Sequence, residues 1–247
     1  MGRIQSISSF STLDGPGARC VVFFQGCPMK CVFCHNPDSW DVELGHAIET
    51  QELMRRLEEY RRFFNSPALT ISGGEPLWQP EFALELAHMA RQKGWHVALD
   101  TSGWGPSHAF VSVCKAVDLV MFSIKPVFDR PGISYINESE MGENLECLAR
   151  LGVPVWLRYV LIPDKTDSHE LLVDLGIRAR ALPNLKKIQI LPFNHLAGEK
   201  WRMLGKSNPL FEGSIRSLSE EELRKAEELV KSIAGEWKDW GKFHKLS

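Results

Sequence analysis

Residues 18–36 read "ARCVVFFQGCPMKCVFCHN" and join a short apolar run to a loop with three cysteines. The run at 18–24 has the composition of a buried β-strand. Cys27, Cys31 and Cys34 follow it with the spacing C-x3-C-x2-C. In parallel α/β folds, the loops at the carboxyl ends of strands form the active face. This stretch therefore predicts a parallel sheet whose first loop carries three thiols that can meet at one metal centre.

Five further apolar runs follow along the chain, and each is typical of a short strand that is apolar on both faces. The segments between them carry apolar residues at helical spacing, such as Leu53, Leu57, Tyr60 and Phe64. Six strand–helix units predict a parallel α/β domain, and an open doubly wound sheet, a barrel or a partial barrel would all fit. Six units are too few for a closed eight-stranded barrel. The five runs are 68–72, 95–100, 118–124, 155–162 and 186–191.

Domain organisation is predicted to be simple, because no linker, repeat or low-complexity tract divides the chain. We expect one domain over residues 1–247, with a long irregular segment at 192–217 and a C-terminal helix at 219–236. Loops of that length are often functional. Ser219 and Glu222 form the sequence signature of a capping box at the start of the helix.

The composition excludes several classes of protein. The 247 residues are 44% hydrophobic with a formal net charge of −2, so neither nucleic acid nor an anionic membrane is an expected partner. No apolar run approaches the roughly 20 residues of a membrane-spanning helix, and the N-terminus lacks the features of a signal peptide. We therefore expect a cytoplasmic protein in which Cys20, Cys114 and Cys147 are small buried residues.

The three clustered cysteines leave several kinds of site open. With His35 they could form a closed tetrahedral zinc site, but His35 directly follows Cys34, and adjacent side chains rarely converge on one ion. Unligated thiols in a loop would be a reactive liability. A [4Fe–4S] cluster is fully ligated by four cysteines, so three would leave one iron open for chemistry. The spacing favours this cluster.

The same residues resemble a known family. C-x3-C-x2-C with an aromatic residue, Phe33, before its last cysteine resembles the motif of radical S-adenosylmethionine (SAM) enzymes. The wider stretch 12–40, with its G-P-G turn and C-H-N ending, resembles the glycyl-radical-enzyme activases, above all those of pyruvate formate-lyase. Matches at 71–77, 99–103 and 156–163 extend the resemblance over roughly residues 1–205. It implies a partial (β/α)6 barrel.

The resemblance also implies a reaction and its partners. SAM would chelate the open iron, and the reduced cluster would cleave it to a 5′-deoxyadenosyl radical that takes hydrogen from a glycine of a partner glycyl radical enzyme. This anaerobic chemistry needs an external electron donor, flavodoxin or ferredoxin, because the additional cysteine clusters of some activases are missing from this sequence. A monomer is expected, since the substrate is itself a large protein.

Two segments are implied to contact SAM through the backbone. Gly73, Gly74 and Glu75, in "SGGE", correspond to the family segment that receives the SAM amino group; a tight strand-to-helix turn is the alternative reading. Adenine is expected against the backbone from Phe33 to His35.

Polar side chains at strand ends are implied to hold the rest of SAM. Asp100 would contact SAM and a monovalent cation, or it could cap the next helix. Lys125 would pair with the SAM carboxylate, or it could be solvated. The family usually has Asp-x-Lys where this chain has Ser123-x-Lys125, and a neutral hydroxyl cannot supply the charge of a carboxylate. The cation site is therefore open to question.

Three further residues are candidates with competing interpretations. Arg158 is expected near SAM or the substrate peptide, or in a buried structural ion pair. Asn194 aligns with a histidine that contacts SAM in the family, and His195 lies one position further along. Either His195 makes that contact with SAM in this chain, or the contact is lost. Asp14, in "LDGPG", is a candidate residue on the substrate side or a turn-forming aspartate.

Two rival functions remain open at this point. One is a radical SAM enzyme with a small-molecule substrate, although such enzymes usually alter the cysteine spacing or the "CHNPD" text. The other is a non-catalytic iron–sulfur electron-transfer protein or a zinc-binding module.

Overall fold

The computed structural model describes residues 1–125, 138–213 and 215–235. Six parallel strands coincide with the six predicted runs to within about a residue at each end, which confirms the α/β prediction. They follow one another across the sheet in chain order. A doubly wound sheet would reverse its order at a switch point, so this arrangement is that of a partial barrel. The six strands are β2 (Arg19–Phe24), β4 (Ala68–Gly73), β5 (His96–Thr101), β6 (Leu119–Ile124), β7 (Val155–Leu161) and β8 (Leu185–Pro192).

Two antiparallel strands, which the sequence patterns did not indicate, extend one edge of the sheet. They are β1 (Gly2–Ser11) and β3 (His46–Ile48), and the full order is β3-β1-β2-β4-β5-β6-β7-β8. The described sheet is open, with β3 at one edge and β8 at the other. β3 is too short to give a periodic signal, and β1 is rich in serine.

The helices cover the strands much as their periodicity predicts. The first one ends at Tyr60, and Phe64 lies beyond a following 3₁₀ turn, so the predicted helical stretch was too long. The last one begins with the predicted capping box at Ser219; residue 236 lies outside the described residues. Within the described ranges, every helix is too short or too polar to span a lipid bilayer. The helices are α1 (Thr50–Tyr60), α2 (Pro80–Gln92), α3 (Ser107–Lys115), α4 (Glu138–Leu151), α5 (His169–Arg180), α6 (Gly198–Met203) and α7 (Glu220–Ala234).

The two faces of the parallel sheet differ in character. Alternate strand residues, such as Leu99, point outward into one continuous apolar core beneath the helices. One apolar cluster on the inner face is small and consists of Ala98, Leu119 and Met121. Towards the carboxyl ends of the strands the inner face becomes polar, so the prediction of strands apolar on both faces was wrong there. The polar residues are Ser72, Asp100, Ser123 and Arg158.

Candidate active site

The loop after β2 is folded back by backbone hydrogen bonds. Gly26 has a φ of +99°, in the left-handed region that favours glycine. Its N–H donates to the Ser39 carbonyl over 2.7 Å, and the Cys27 N–H donates to the Trp40 carbonyl over 3.1 Å. The segment beyond the cysteines is thereby fastened to the start of the loop.

All three predicted ligands, Cys27, Cys31 and Cys34, line one cavity at the carboxyl ends of the strands, here called the central cavity. Burial raises the pKa of the Cys27 thiol above its ordinary value. It also raises the pKa of Cys34 to about 11, with the charge of Cys31 adding to the effect. Thiolates buried in this way need bound cations, and metal coordination deprotonates a thiol outright.

The donor set fits a cluster better than a single ion. Among the described residues, no three His, Cys, Asp or Glu side chains converge on one metal position. A cluster sets a different requirement, because each thiolate binds a different iron at a corner of the cube. Three thiols around a shared cavity meet that requirement.

The glycines of the "SGGE" turn are needed for close packing against the cysteine loop. Gly73 has a φ of +115°, and the N–H of Gly74 donates to the Phe24 carbonyl over 2.9 Å. A Cβ atom on Gly73 would clash with the Phe24 backbone, and one on Gly74 would clash with the Gly26 carbonyl. Both glycines also line the central cavity. Both interpretations of "SGGE" therefore describe the same turn, which is tight and whose glycines also line the central cavity.

The Glu75 side chain has a structural role, and its expected backbone contact with SAM stays a prediction. Its carboxylate is buried and is absent from the described lining of the central cavity. It accepts hydrogen bonds from Thr101 Oγ1, from both the N–H and the hydroxyl of Ser102, and from the Leu77 N–H. Burial raises its pKa, while these donors act in the opposite direction. Glu75 therefore ties the "SGGE" turn to the end of β5.

Asp100 and Arg158 form an ion pair on the inner face of the sheet. Arg158 Nη1 donates to Asp100 Oδ2 over 2.8 Å, and Ser72 Oγ donates to the same oxygen over 2.9 Å. Both charged side chains line the central cavity. The Nε of Arg158 is buried and has no hydrogen-bond partner among the described residues. An ion-paired donor with an unused N–H fits a ligand carboxylate.

Ser123 and Lys125, together with Asp100 and Arg158, form the polar side of the central cavity, here called the charged wall. Ser123 lies beside Arg158 in the register of β6 and β7, and both Ser123 and Lys125 line the central cavity. Lys125 Nζ is 5.5 Å from the centroid of the Phe33 ring. The cavity thus offers one carboxylate and two cations, which is the complement of a free amino acid with its ammonium and carboxylate groups. The methionine part of SAM has these two groups.

The two candidate histidines differ in their position relative to the central cavity. His35 lines the central cavity, and its Nε2–H donates to Asn194 Oδ1 over 3.1 Å. Burial lowers the pKa of His35, which favours the neutral ring. His195 is outside the described cavity lining; its ring packs edge-on against Phe193. The aligned position, Asn194, therefore holds His35, and a contact of His195 with SAM stays a prediction.

Asp14 also lies away from the central cavity as described. Its carbonyl accepts a hydrogen bond from Thr70 Oγ1 over 2.6 Å, and its carboxylate accepts one from Ser11. These contacts agree with the turn interpretation of "LDGPG".

The irregular segment 192–217 covers the cysteine loop, which no motif had indicated. Trp201, in α6, donates from Nε1 to the Cys34 carbonyl over 2.9 Å. Phe193 and Leu210 pack in one apolar cluster with Cys31 and Phe33. The length of the segment was the only sequence signal for this role.

Comparison with known proteins places the fold and the site in one class. Residues 13–122 match the family described as a 4Fe-4S single cluster domain. The chain shares its fold with a radical SAM methyltransferase from Sphaerobacter thermophilus, with a TM-score of 0.61 and 18% identity over 87% of this chain and 64% of that one. This likeness shows the fold, and the relatives of higher identity described next show that the chain is a radical SAM enzyme.

Relatives of higher identity narrow the class. The chain is 35% identical over 237 residues to a pyruvate formate-lyase-activating enzyme from Clostridium pasteurianum, covering 94% of this chain and 98% of the relative. It is also 35% identical over 216 residues to the pyruvate formate-lyase 1-activating enzyme of Escherichia coli K12, covering 85% and 88%. The chain belongs to the family of pyruvate formate-lyase-activating enzymes, and its cofactors are a [4Fe–4S] cluster and SAM.

Proposed function

We propose that this radical SAM activase introduces a glycyl radical into pyruvate formate-lyase, with its cluster held by Cys27, Cys31 and Cys34. The observation that carries the proposal is that one central cavity joins these three thiols to Asp100 and Arg158. The names of the relatives support the choice of protein substrate.

The charged wall of the cavity is assigned to the methionine part of SAM. Asp100 accepts hydrogen bonds from the SAM ammonium group, and the unused Nε of Arg158 donates to the SAM carboxylate together with Lys125. The backbone of Gly73 and Gly74 borders the ammonium group. When bound and reduced, the cluster would supply one electron for the cleavage of SAM to methionine and a 5′-deoxyadenosyl radical, and that radical would take hydrogen from the substrate glycine.

The remaining lining orients the nucleoside part and excludes water. Phe33 and His35 border the adenine, and the hydrogen bond to Asn194 fixes the His35 ring. Apolar residues, including Val160 and Leu191, line the cavity near the polar groups. A reactive carbon radical needs such shielding, because solvent and stray side chains would otherwise quench it.

We further propose that the chain works as a single-domain monomer in the cytoplasm and receives electrons from a flavodoxin or ferredoxin. All six cysteines are thiols in the structure, as expected for a reducing compartment. The described residues offer thiols for one cluster only, so an external electron donor fits.

The test is to generate the glycyl radical directly. The anaerobically reconstituted protein is reduced, supplied with SAM and mixed with pyruvate formate-lyase, and electron paramagnetic resonance then measures the radical. We expect a glycyl signal that requires SAM and that is lost when the radical-bearing glycine of the substrate is replaced by alanine. SAM cleavage without any radical on pyruvate formate-lyase would refute the choice of substrate but not the class of enzyme.

A further inference from the structure

A second concavity lies on the other side of the cysteine loop from the central cavity. This outer groove, about 520 Å³ in volume, is formed by Pro28, Lys30, Trp40, Val42, Leu44, Trp78 and Lys206 together with Cys27. Cys27 and Trp40 line both the outer groove and the central cavity. These residues therefore separate the outer groove from the place where SAM is proposed to bind.

The charges around the outer groove are predominantly positive. Lys30 and Lys206 are exposed, and neither forms an ion pair with a carboxylate in the parts of the chain that the structure describes. Lys206 Nζ lies 5.4 Å from the centroid of the Trp40 ring. The lining carboxylate among the described residues, Asp41, accepts a hydrogen bond from the Glu43 N–H as a helix cap and keeps its charge. The lining of the groove thus carries two cations and one carboxylate, an excess of one positive charge.

The floor of the outer groove is apolar and partly exposed. Trp78 is 43% exposed and Leu44 is 64% exposed, and Val42 also lines the groove. An exposed apolar patch that is rimmed by charge marks an interaction surface more often than bare surface. The patch is small, which suits a transient electron-transfer complex rather than a permanent one.

We propose that the outer groove is the docking site of an acidic flavodoxin that reduces the cluster. A flavodoxin presents the apolar edge of its flavin within an acidic surface, which matches an apolar groove flanked by Lys30 and Lys206. One electron leaves the reduced flavin and enters the oxidised cluster, so the donor is oxidised by one electron, the cluster is reduced by one, and no bond forms or breaks. The inference rests on the proposed function, because it requires the cluster at Cys27.

The position of the outer groove has a functional consequence. The donor approaches the cluster from the Cys27 side and leaves the mouth of the central cavity open. The protein substrate and the donor can therefore bind at the same time, and neither should compete with the other.

The experiment measures how fast reduced flavodoxin bleaches the visible absorbance of the reconstituted cluster in stopped flow. For the Lys30→Glu/Lys206→Glu double variant, the second-order rate constant should fall about tenfold or more, because charge steering is reversed. The wild-type rate constant should also fall steeply with ionic strength. Calorimetry with oxidised flavodoxin should show a matching loss of affinity.

The controls separate docking from damage to the cluster. Dithionite should reduce the double variant as fast as the wild type, and its SAM cleavage with that reductant should be unchanged. A Lys93→Glu/Lys115→Glu variant makes the same charge change at the ends of α2 and α3, before the amino ends of β5 and β6, and should keep the wild-type rate with flavodoxin.

Several outcomes would overturn the proposal. Equal rates for the two double variants, or a rate independent of salt, would exclude docking at the outer groove. If Lys206→Glu alone leaves the rate unchanged, the effect of the double variant comes from Lys30 in the cysteine loop, and disturbance of that loop replaces docking as its explanation. A ferredoxin that shows the predicted charge dependence when flavodoxin shows none would refute flavodoxin as the occupant. None of these results bears on whether the dithionite-reduced enzyme makes a glycyl radical.

Discussion

The outer and inner faces of the parallel sheet are made from alternate residues of the same strands, yet they have different tasks. Leu99 points into the continuous core beneath the helices and has no exposed surface. Asp100, the next residue, lies on the inner face and bonds Ser72 and Arg158 at the central cavity. Adjacent residues of one strand therefore have different roles, one in the stability of the core and the other in the binding site. Substitutions on the outer face should change the free energy of unfolding, and those on the inner face should change activity.

The largest effect is expected for Cys31→Ala, within the cysteine loop. Loss of one thiolate should abolish stable cluster binding and reduce SAM cleavage to background, because the remaining two ligands cannot hold the cube. Iron content, the absorbance spectrum and SAM turnover measure this result. Because Cys31 is not part of the outer core, the thermal unfolding of the metal-free protein should change little.

The matched control for that variant is Cys114→Ala, which removes a buried thiol from α3 in the outer core. It should lower stability modestly and leave the iron content at the wild-type level. Retention of a full cluster by Cys31→Ala, or its loss in Cys114→Ala, would contradict the assignment of ligands.

The next effect concerns the outer face. Leu99→Ala should lower the free energy of unfolding by about 2–5 kcal/mol, since it leaves a cavity in a close-packed core. Urea titration of the reconstituted protein measures this change. Turnover per folded molecule should stay near the wild-type value. Ile177→Ala on α5, where the side chain is 56% exposed, is the control and should change stability by less than about 0.5 kcal/mol.

The same contrast explains how much of the fold was predictable. The six parallel strands produce strong apolar runs because both of their faces are largely covered, and their chain order follows from the repeated strand–helix units. β1 and β3 gave no such signal, because an edge strand such as β3 buries little. Inner and outer residues could not be told apart, because the apolar runs continue through both faces.

Motifs predicted which residues gather at the site, whereas the side-chain contacts between distant segments could not be predicted. Cys27, Gly73 and Gly74 line one cavity, as the motifs indicated. The Glu75 side chain accepts from four donors, three of them on Thr101 and Ser102 at the end of β5, and no local pattern indicated these contacts. The Asn194–His35 hydrogen bond joins residues far apart in sequence, and no local pattern contains that information.

A smaller effect is expected for Asp100→Asn on the inner face. The amide accepts a weaker hydrogen bond from the SAM ammonium, so the KM for SAM should rise about 10- to 100-fold. Steady-state SAM cleavage with dithionite as reductant measures this change. Asp118→Asn is the control, because Asp118 Oδ2 accepts from the Val97 N–H at the amino ends of the strands, away from the central cavity. That variant should lose stability but keep the wild-type KM, and equal KM values for both variants would place SAM elsewhere.

The smallest effect is expected from monovalent cations, and it tests the charge balance of the inner face. Asp100 Oδ2 already accepts from Arg158 and Ser72, and Ser123 adds no charge beside them. Exchanging sodium or potassium for a bulky organic cation at constant ionic strength should therefore change SAM cleavage by less than about twofold. Ser123→Asp would add a second carboxylate to the central cavity and should create a requirement for the small cation. Strong cation dependence in the wild type would instead mean that Arg158 does not satisfy Asp100 when SAM is bound, and that the central cavity recruits an ion despite the neutral hydroxyl.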